Sequence, residues 1–328
     1  RDAALAAAAS ALTQLERADV RDGGRAEEAD EAEEEIGDGQ RGVELTETAR
    51  LFARTRIAMV LAAGKRAEAV AMAKSLLATA WTAAPAEQAV PRLLEQLVWA
   101  TDLGIPEIVD QLHDARPDLV TANPLVTYAA AAAERARGDL VRATALADAA
   151  FARQRGPGRG RDNLEQLQAA LLLARWGCVD WAVRCYTAIL EDPQSTPVEY
   201  CHAVVYGAEY LHELEREDEA AAFMARLFGP NPPRRDFNVE QQLTQIGRDH
   251  RATRARAEFF ASCAAAARGD AAERRRLLET ALRSLGKDVD SLIALYHLPD
   301  NTPDQRADAV RRINEALRQI ENEIQGIP

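Results

Sequence analysis

The sequence predicts an all-α chain built as a solenoid of stacked antiparallel helix pairs. Three observations carry that expectation. Alanine fills about a fifth of the 328 positions while aromatic residues make up only 5%, a marked departure from ordinary usage. Alanine is the best helix former and a poor strand residue, which argues against sandwiches, barrels and doubly wound sheets. Helical periodicity runs almost from end to end, broken by Gly, Pro and short polar turns, and β-branched alternation never lasts more than a few residues. Finally, one turn motif recurs along the chain at a nearly fixed spacing.

Residues 3 to 18 form an Ala-rich helical pattern. The stretch 21 to 42 is an acidic block between glycines with a single large apolar residue, Ile36. It has nothing to bury, so a solvated helix or a linker is expected there. Together these make an N-terminal segment, residues 1–44.

From residue 45 to 285 the pattern is helix, short turn, helix, in about six pairs. Gly64-Lys65-Arg66-Ala67-Glu68-Ala69-Val70 has counterparts in Gly138-Asp139-Leu140-Val141-Arg142-Ala143 and in Gly177-Cys178-Val179-Asp180-Trp181-Ala182-Val183. Glu215-Arg216-Glu217-Asp218-Glu219-Ala220 is a degenerate copy without the turn glycine. Ala143 to Ala182 spans 39 residues and Ala182 to Ala220 spans 38. Ala69 to Ala143 spans 74, room for a weaker copy at Gly104-Ile105-Pro106-Glu107-Ile108-Val109. A last copy starts at Gly269-Asp270, with Arg274 at the alanine position.

The residue types follow from the geometry. Glycine ends the first helix because that position needs φ > 0. A small residue five positions later lets the paired helices touch. Large residues after it, such as Tyr186, Ile189 and Leu190 or Met224 and Leu227, fill the contact to the next pair. Pro85, Pro117, Pro193 and Pro232 stop second helices.

The segment from Leu164 to Pro193 resembles a tetratricopeptide repeat, with Ala170, Gly177, Ala182 and Tyr186 on the family's signature positions. The other copies match less closely: Glu215 replaces a turn glycine, and the spacings exceed the family's usual 34 residues. The resemblance implies a right-handed superhelix and a protein-interaction module. After Gly286, the passage from Asp288 to Asp300 also resembles the long tetratricopeptide proteins of planctomycete-like bacteria. In the 286–328 tail, Thr302, Pro303 and Gln305 predict a capped final helix running to about Ile324.

The formal charge of −12 and the pI near 5.1 set the chain against nucleic-acid binding. No apolar run reaches membrane-spanning length, so direct membrane insertion is not expected. The compartment stays open, cytoplasmic or, after removal of an export signal, periplasmic. A first residue of Arg1 suggests a segment cut from something longer. The four cysteines, Cys178, Cys185, Cys201 and Cys263, show no CxxC spacing and are expected as free core thiols, with a Cys185–Cys201 approach left open.

No cofactor, metal or catalytic constellation is expected. His212-Glu213 begins like a zinc-protease motif, but Arg216 stands where the second histidine belongs. Cys201 and His202 are adjacent, a poor ligand geometry on a helix. The glycines and arginines of 155–161 suit a loop, or a phosphate cradle.

The arginines carry the binding hypothesis. Arg248, Arg251 and Arg254 fall at i, i+3, i+6 on a presumed first helix, with Arg256 nearby and Arg56, Arg92, Arg135 and Arg175 on other first helices. With Leu125, Tyr128 and Leu167 they would line a groove for an acidic peptide or a partner helix. The plainer account pairs them internally with acids such as Asp249 and Glu258. Three readings follow: a non-enzymatic binding scaffold, a spacer or oligomerisation segment, and an enzyme or small-ligand sensor with an inter-helix pocket. The oligomeric state stays open.

Overall fold

Side-chain caps at Asn123, Asp139, Thr196, Asn238, Asp249, Asp270 and Asp288 open helices, and seven turns among the described residues use a left-handed residue. The computed structural model describes residues 47–81, 86–155, 163–229 and 237–325, and every regular element among them is helical. The N-terminal expectations, and all of the 155–161 loop except Arg155, lie outside the described residues. The chain divides into two compact units, residues 1–158 and 159–328.

In the first unit the helices are α1 (Glu47–Ala62), α2 (Arg66–Trp81), α3 (Ala86–Asp102), α4 (Glu107–Ala115), α5 (Pro117–Ala122), α6 (Pro124–Ala136) and α7 (Leu140–Gln154). Pro117 both stops α4 and opens α5. Helix α6 is the centre of this unit. Asn123 caps it by accepting from the amides of Leu125 and Val126, and Pro124 through Glu134 are all buried. Its run of five alanines, Ala129 to Ala133, is at most 5% exposed, so neighbouring backbones approach where bulkier cores would interpose side chains. Helices α3, α4, α5 and α7 pack on it.

The second unit contains α8 (Asn163–Arg175), α9 (Val179–Leu190), α10 (Pro197–Glu213), α11 (Glu217–Phe228), α12 (Val239–Gln245), α13 (His250–Ala267), α14 (Ala271–Ser284), α15 (Val289–Tyr296) and α16 (Pro303–Gln325). Its principal packing runs between neighbours in sequence, with the short α12 skipped: α8 on α9, α9 on α10, α10 on α11, α11 on α13, α13 on α14, α14 on α15 and α15 on α16. Leu278, Leu282, Leu292, Leu295, Leu298 and Ala316 form the core of its last part. The final helix is capped as its sequence predicts. Thr302 and Gln305 exchange side chain-to-backbone hydrogen bonds of 2.8 and 3.3 Å.

The six recurring turns share one geometry. Gly64, Gly104, Gly138, Gly177 and Gly269 have φ between 66° and 89°, and Glu215 takes the same role at 59°. The next residue then donates its amide to the carbonyl five positions back, at 2.8–3.2 Å in each case, which satisfies a carbonyl the helix end would otherwise leave open. Five residues after the turn, Ala69, Val109, Ala143, Ala182 and Ala220 are at most 1% exposed. Arg274 occupies that position in the last hairpin.

Arginines bridge successive turns within each unit. Arg66 reaches Glu107 at 2.8 Å and the Gly104 carbonyl at 2.9 Å; Arg137 reaches Asp110 at 2.7 Å and the Pro106 carbonyl at 2.8 Å. In the second unit Arg216 lies 3.5 Å from Asp180, and Arg268 lies 2.5 Å from Asp218. Exposed pairs of this kind contribute little energy, but they record which turns lie side by side.

Candidate functional site

The arginine triplet does not share one face. Gly247 (φ 71°) turns the chain left-handed after α12, and Arg248 donates its amide to the Leu243 carbonyl at 2.8 Å. Asp249 then caps α13, accepting from Ala252 N at 2.7 Å. Arg248 therefore precedes the helix instead of riding on it, and Asp249 serves as a cap, not as a neutralising partner. The Arg248 guanidinium pairs with Glu209 at 2.9 Å and sits 5.5 Å from the Tyr206 ring centre. Tyr206 in turn stacks on His202. Burial, and secondarily the Arg248 charge, lower the basicity of that imidazole. Arg248 lines a cavity of about 390 Å³ that also contains Glu209, Asp249 and Asp288, a mixed-charge surface.

Arg251 and Arg254 behave differently. They lie one turn apart on the first two turns of α13, and both are exposed. Because α13 and α14 form a hairpin around Gly269, the start of one lies beside the end of the other. That brings Arg283 and Ser284, in the last turn of α14, opposite Arg251 and Arg254. The five residues His250, Arg251, Arg254, Arg283 and Ser284 line a cleft of about 450 Å³. Among the described residues no carboxylate lines it. Arg283 donates to Thr280 Oγ1 at 2.8 Å, and none of the three arginines has an ion-pair partner among the described residues. Arg251 also borders a second cleft of about 480 Å³. There the other cations are matched, Lys287 with Glu323 at 2.5 Å and Arg312 with Glu279 at 3.5 Å, and Glu315 and Glu323 line the cleft together with Arg251. The face that Arg251 shares with Arg254 and Arg283 is the one whose lining holds no carboxylate among the described residues.

Guanidinium groups are planar, permanently charged forks that bind carboxylates through paired hydrogen bonds. Three of them on one rim, beside a helix N-terminus that favours anions, suit an acidic side chain or a chain of them. At physiological salt the field of a distant surface charge fades beyond about 8 Å. The local excess of cations thus governs an approaching anion more than the net charge of −12.

The remaining expected contact residues divide by burial. Tyr128 and Leu167 are 1% and 5% exposed, so they are core residues and do not present a side chain to a partner. Leu125, 6% exposed, is also core. Each is covered by helices that pack against its own, so its apolar side chain is used up inside the fold. Arg135 and Arg175 are exposed at the ends of α6 and α8, but each already has an interaction within the chain. Arg56 is likewise engaged. Arg256 pairs with Asp290 at 2.5 Å and lies over Phe260. Each of these arginines thus has an interaction within the chain.

Arg283 and Ser284 are absent from the arginine reading of the sequence. The signal was present, because Arg254 and Arg283 stand almost equally far before and after the Gly269 turn. In an antiparallel hairpin, equidistant residues meet. The cysteines are free thiols: Cys178, Cys185 and Cys201 are buried and Cys263 is half-buried. Among the described residues no helix is long and apolar enough to cross a membrane. No protein-family model matches the chain, and no curated protein matches it.

Proposed function

We propose that the chain is a non-catalytic interaction scaffold of the tetratricopeptide type, a right-handed solenoid of helix pairs that holds an acidic segment of a partner protein. The observation that carries this reading is the cleft in which Arg251, Arg254 and Arg283 stand together without a carboxylate. A surface arginine is normally answered by a nearby acid, as Arg66, Arg137, Arg216 and Arg268 are in this chain. Three unanswered ones on one rim are a receptor for negative charge. The repeat reading is supported by the common turn geometry and by the arginine bridges from one turn to the next. Stacked pairs of this kind offer an extended surface suited to a peptide or a helix.

The test is a fluorescence-polarisation titration of the full chain with a glutamate-rich peptide and with its all-glutamine counterpart. The acidic peptide binds, the glutamine peptide does not, and affinity falls as salt rises. The double variant Arg251→Glu/Arg254→Glu binds at least roughly tenfold more weakly, since each charged hydrogen-bonded contact contributes about 1.5–3 kcal/mol. Arg248→Glu, already satisfied by Glu209, changes affinity less. Equal binding of both peptides, or an unaltered double variant, overturns the reading. Binding of neither peptide returns the chain to the spacer or oligomerisation reading.

A further inference from the structure

We infer that His212, Glu217 and Cys263 form a binding site for a thiophilic divalent cation of the zinc class. The site is assembled by the degenerate turn. His212 lies in the last turn of α10, three residues before Glu215, and Glu217 opens α11 two residues after it. The left-handed turn folds them together, so that His212 Nδ1 and Glu217 Oε2 are 2.9 Å apart. Helix α11 packs on α13, which supplies Cys263. One ligating atom from each of the three residues lies within 4.8 Å of the other two.

Those separations fit a metal after small rotamer adjustments. Bonds of about 2.0–2.3 Å in a tetrahedral zinc site place ligand atoms roughly 3.2–3.8 Å apart. The His–Glu pair must open slightly and the sulfur must close in. Phe260 stacks on the His212 ring with centroids 4.4 Å apart, and Phe259 meets it edge-on at 5.7 Å, so the imidazole is already held in place.

The donor set selects the ion. Imidazole, carboxylate and thiolate together suit zinc, whereas magnesium and calcium take oxygen ligands. The carboxylate and the thiolate balance the double positive charge. Burial, then the Glu217 charge, pushes the Cys263 thiol up to about 11, so the metal displaces a proton on binding. Arg274 is the neighbouring supporting group. Its Nε is buried without a hydrogen-bond partner among the described residues, and its charge acts on Cys263. That positive charge favours the thiolate form of Cys263 that a metal needs. The other nearby cation, Arg256, is tied to Asp290. All three ligands are half-buried, so a water completes the fourth position. Three protein ligands plus an exchangeable one mark an open site, not a closed structural one.

The reduced full chain, titrated with Zn²⁺ and separately with Co²⁺, tests the assignment. One equivalent of Co²⁺ gives tetrahedral visible bands and a thiolate-to-cobalt charge-transfer band. Cys263→Ser removes the charge-transfer band, and His212→Gln or Glu217→Gln weakens Zn²⁺ binding by at least about tenfold, the lower end for disturbing a metal shell. A measurement on the unaltered chain guards against variants that fail to fold. Zn²⁺ protects Cys263 from iodoacetamide, while Cys178, Cys185 and Cys201 serve as internal references. Saturable binding without a thiolate band, absence of Zn²⁺ binding, or alkylation of Cys263 at the same rate with Zn²⁺ present each overturns it.

Discussion

Glu215 holds φ at 59° in a turn where five other hairpins use glycine. A residue with Cβ in the left-handed region costs roughly 1–2 kcal/mol, and glycine offsets part of that saving by its greater freedom in the unfolded chain, about 0.5–1 kcal/mol. The Glu215 side chain has no ion pair among the described residues that would compensate. Glu215→Gly is therefore expected to stabilise the chain by roughly 0.5–1 kcal/mol. Gly177→Ala, the reverse experiment at a turn with φ 66°, destabilises by about 1 kcal/mol or more. Urea unfolding followed by circular dichroism reads both, with the slope unchanged. A glycine variant no more stable than the parent refutes the strain argument. At this scale much was legible. The substitution of glutamate for the turn glycine is visible in the sequence, and the turn conformation follows from its register with the other copies. What was not legible is which arginines are answered. That depends on side chains brought together from elsewhere, as Glu209 is brought to Arg248 and Arg283 to Arg254.

Helices and turns were predictable where local chemistry decides them, and less so where packing does. The Thr302 box forms as its sequence predicts, and an equivalent box at Thr196 and Glu199, with bonds of 2.8 and 3.3 Å, has an equally plain Thr-Pro-x-Glu spacing. Helix α12 is not legible from the sequence, because seven residues carry too little periodicity. Gly207 is the clearest case of packing. It lies mid-helix in α10, where glycine costs about 1 kcal/mol relative to alanine. A Cβ there would meet the Phe223 ring at 2.7 and 2.9 Å and Tyr186 Cγ at 3.3 Å. Phe223 and Tyr186 are 8% and 1% exposed, so neither ring has room to retreat. Gly207→Ala thus gains helix propensity and loses more to overpacking, typically about 1–3 kcal/mol. The expected outcome is a lower thermal midpoint with unchanged helical content. Pairing it with Phe223→Leu should recover most of the loss, and a stabilised Gly207→Ala single variant would contradict the contact.

Stability is spread unevenly over the whole molecule. Helix α6 buries eleven successive residues of its thirteen and is packed from several sides. Helix α16 buries only Ala309 and Ala316 of its 23 residues and packs chiefly on α15. The sequence of α16 hides this contrast. Val310, Ile313, Leu317, Ile320 and Ile324 repeat with the spacing of a buried stripe, yet Val310 and Leu317 remain 44% exposed and Ile324 63%. Periodicity states which face a helix would bury, not whether a neighbour arrives to cover it. In an arrangement dominated by contacts between adjacent elements, an element with one principal neighbour opens by losing one interface, while an interior one opens only with its surroundings. Native-state hydrogen exchange should therefore divide the chain. Amides of residues 128–136 should exchange at least roughly 100-fold more slowly than those of residues 307–325, after correction for intrinsic rates. Mild denaturant should leave α16 exchange almost unchanged, because its opening exposes little surface, and should accelerate α6 exchange steeply. Equal protection in both helices, with the same denaturant dependence, would mean that the last helix is part of a single cooperative core and that its exposed stripe contributes nothing to local opening.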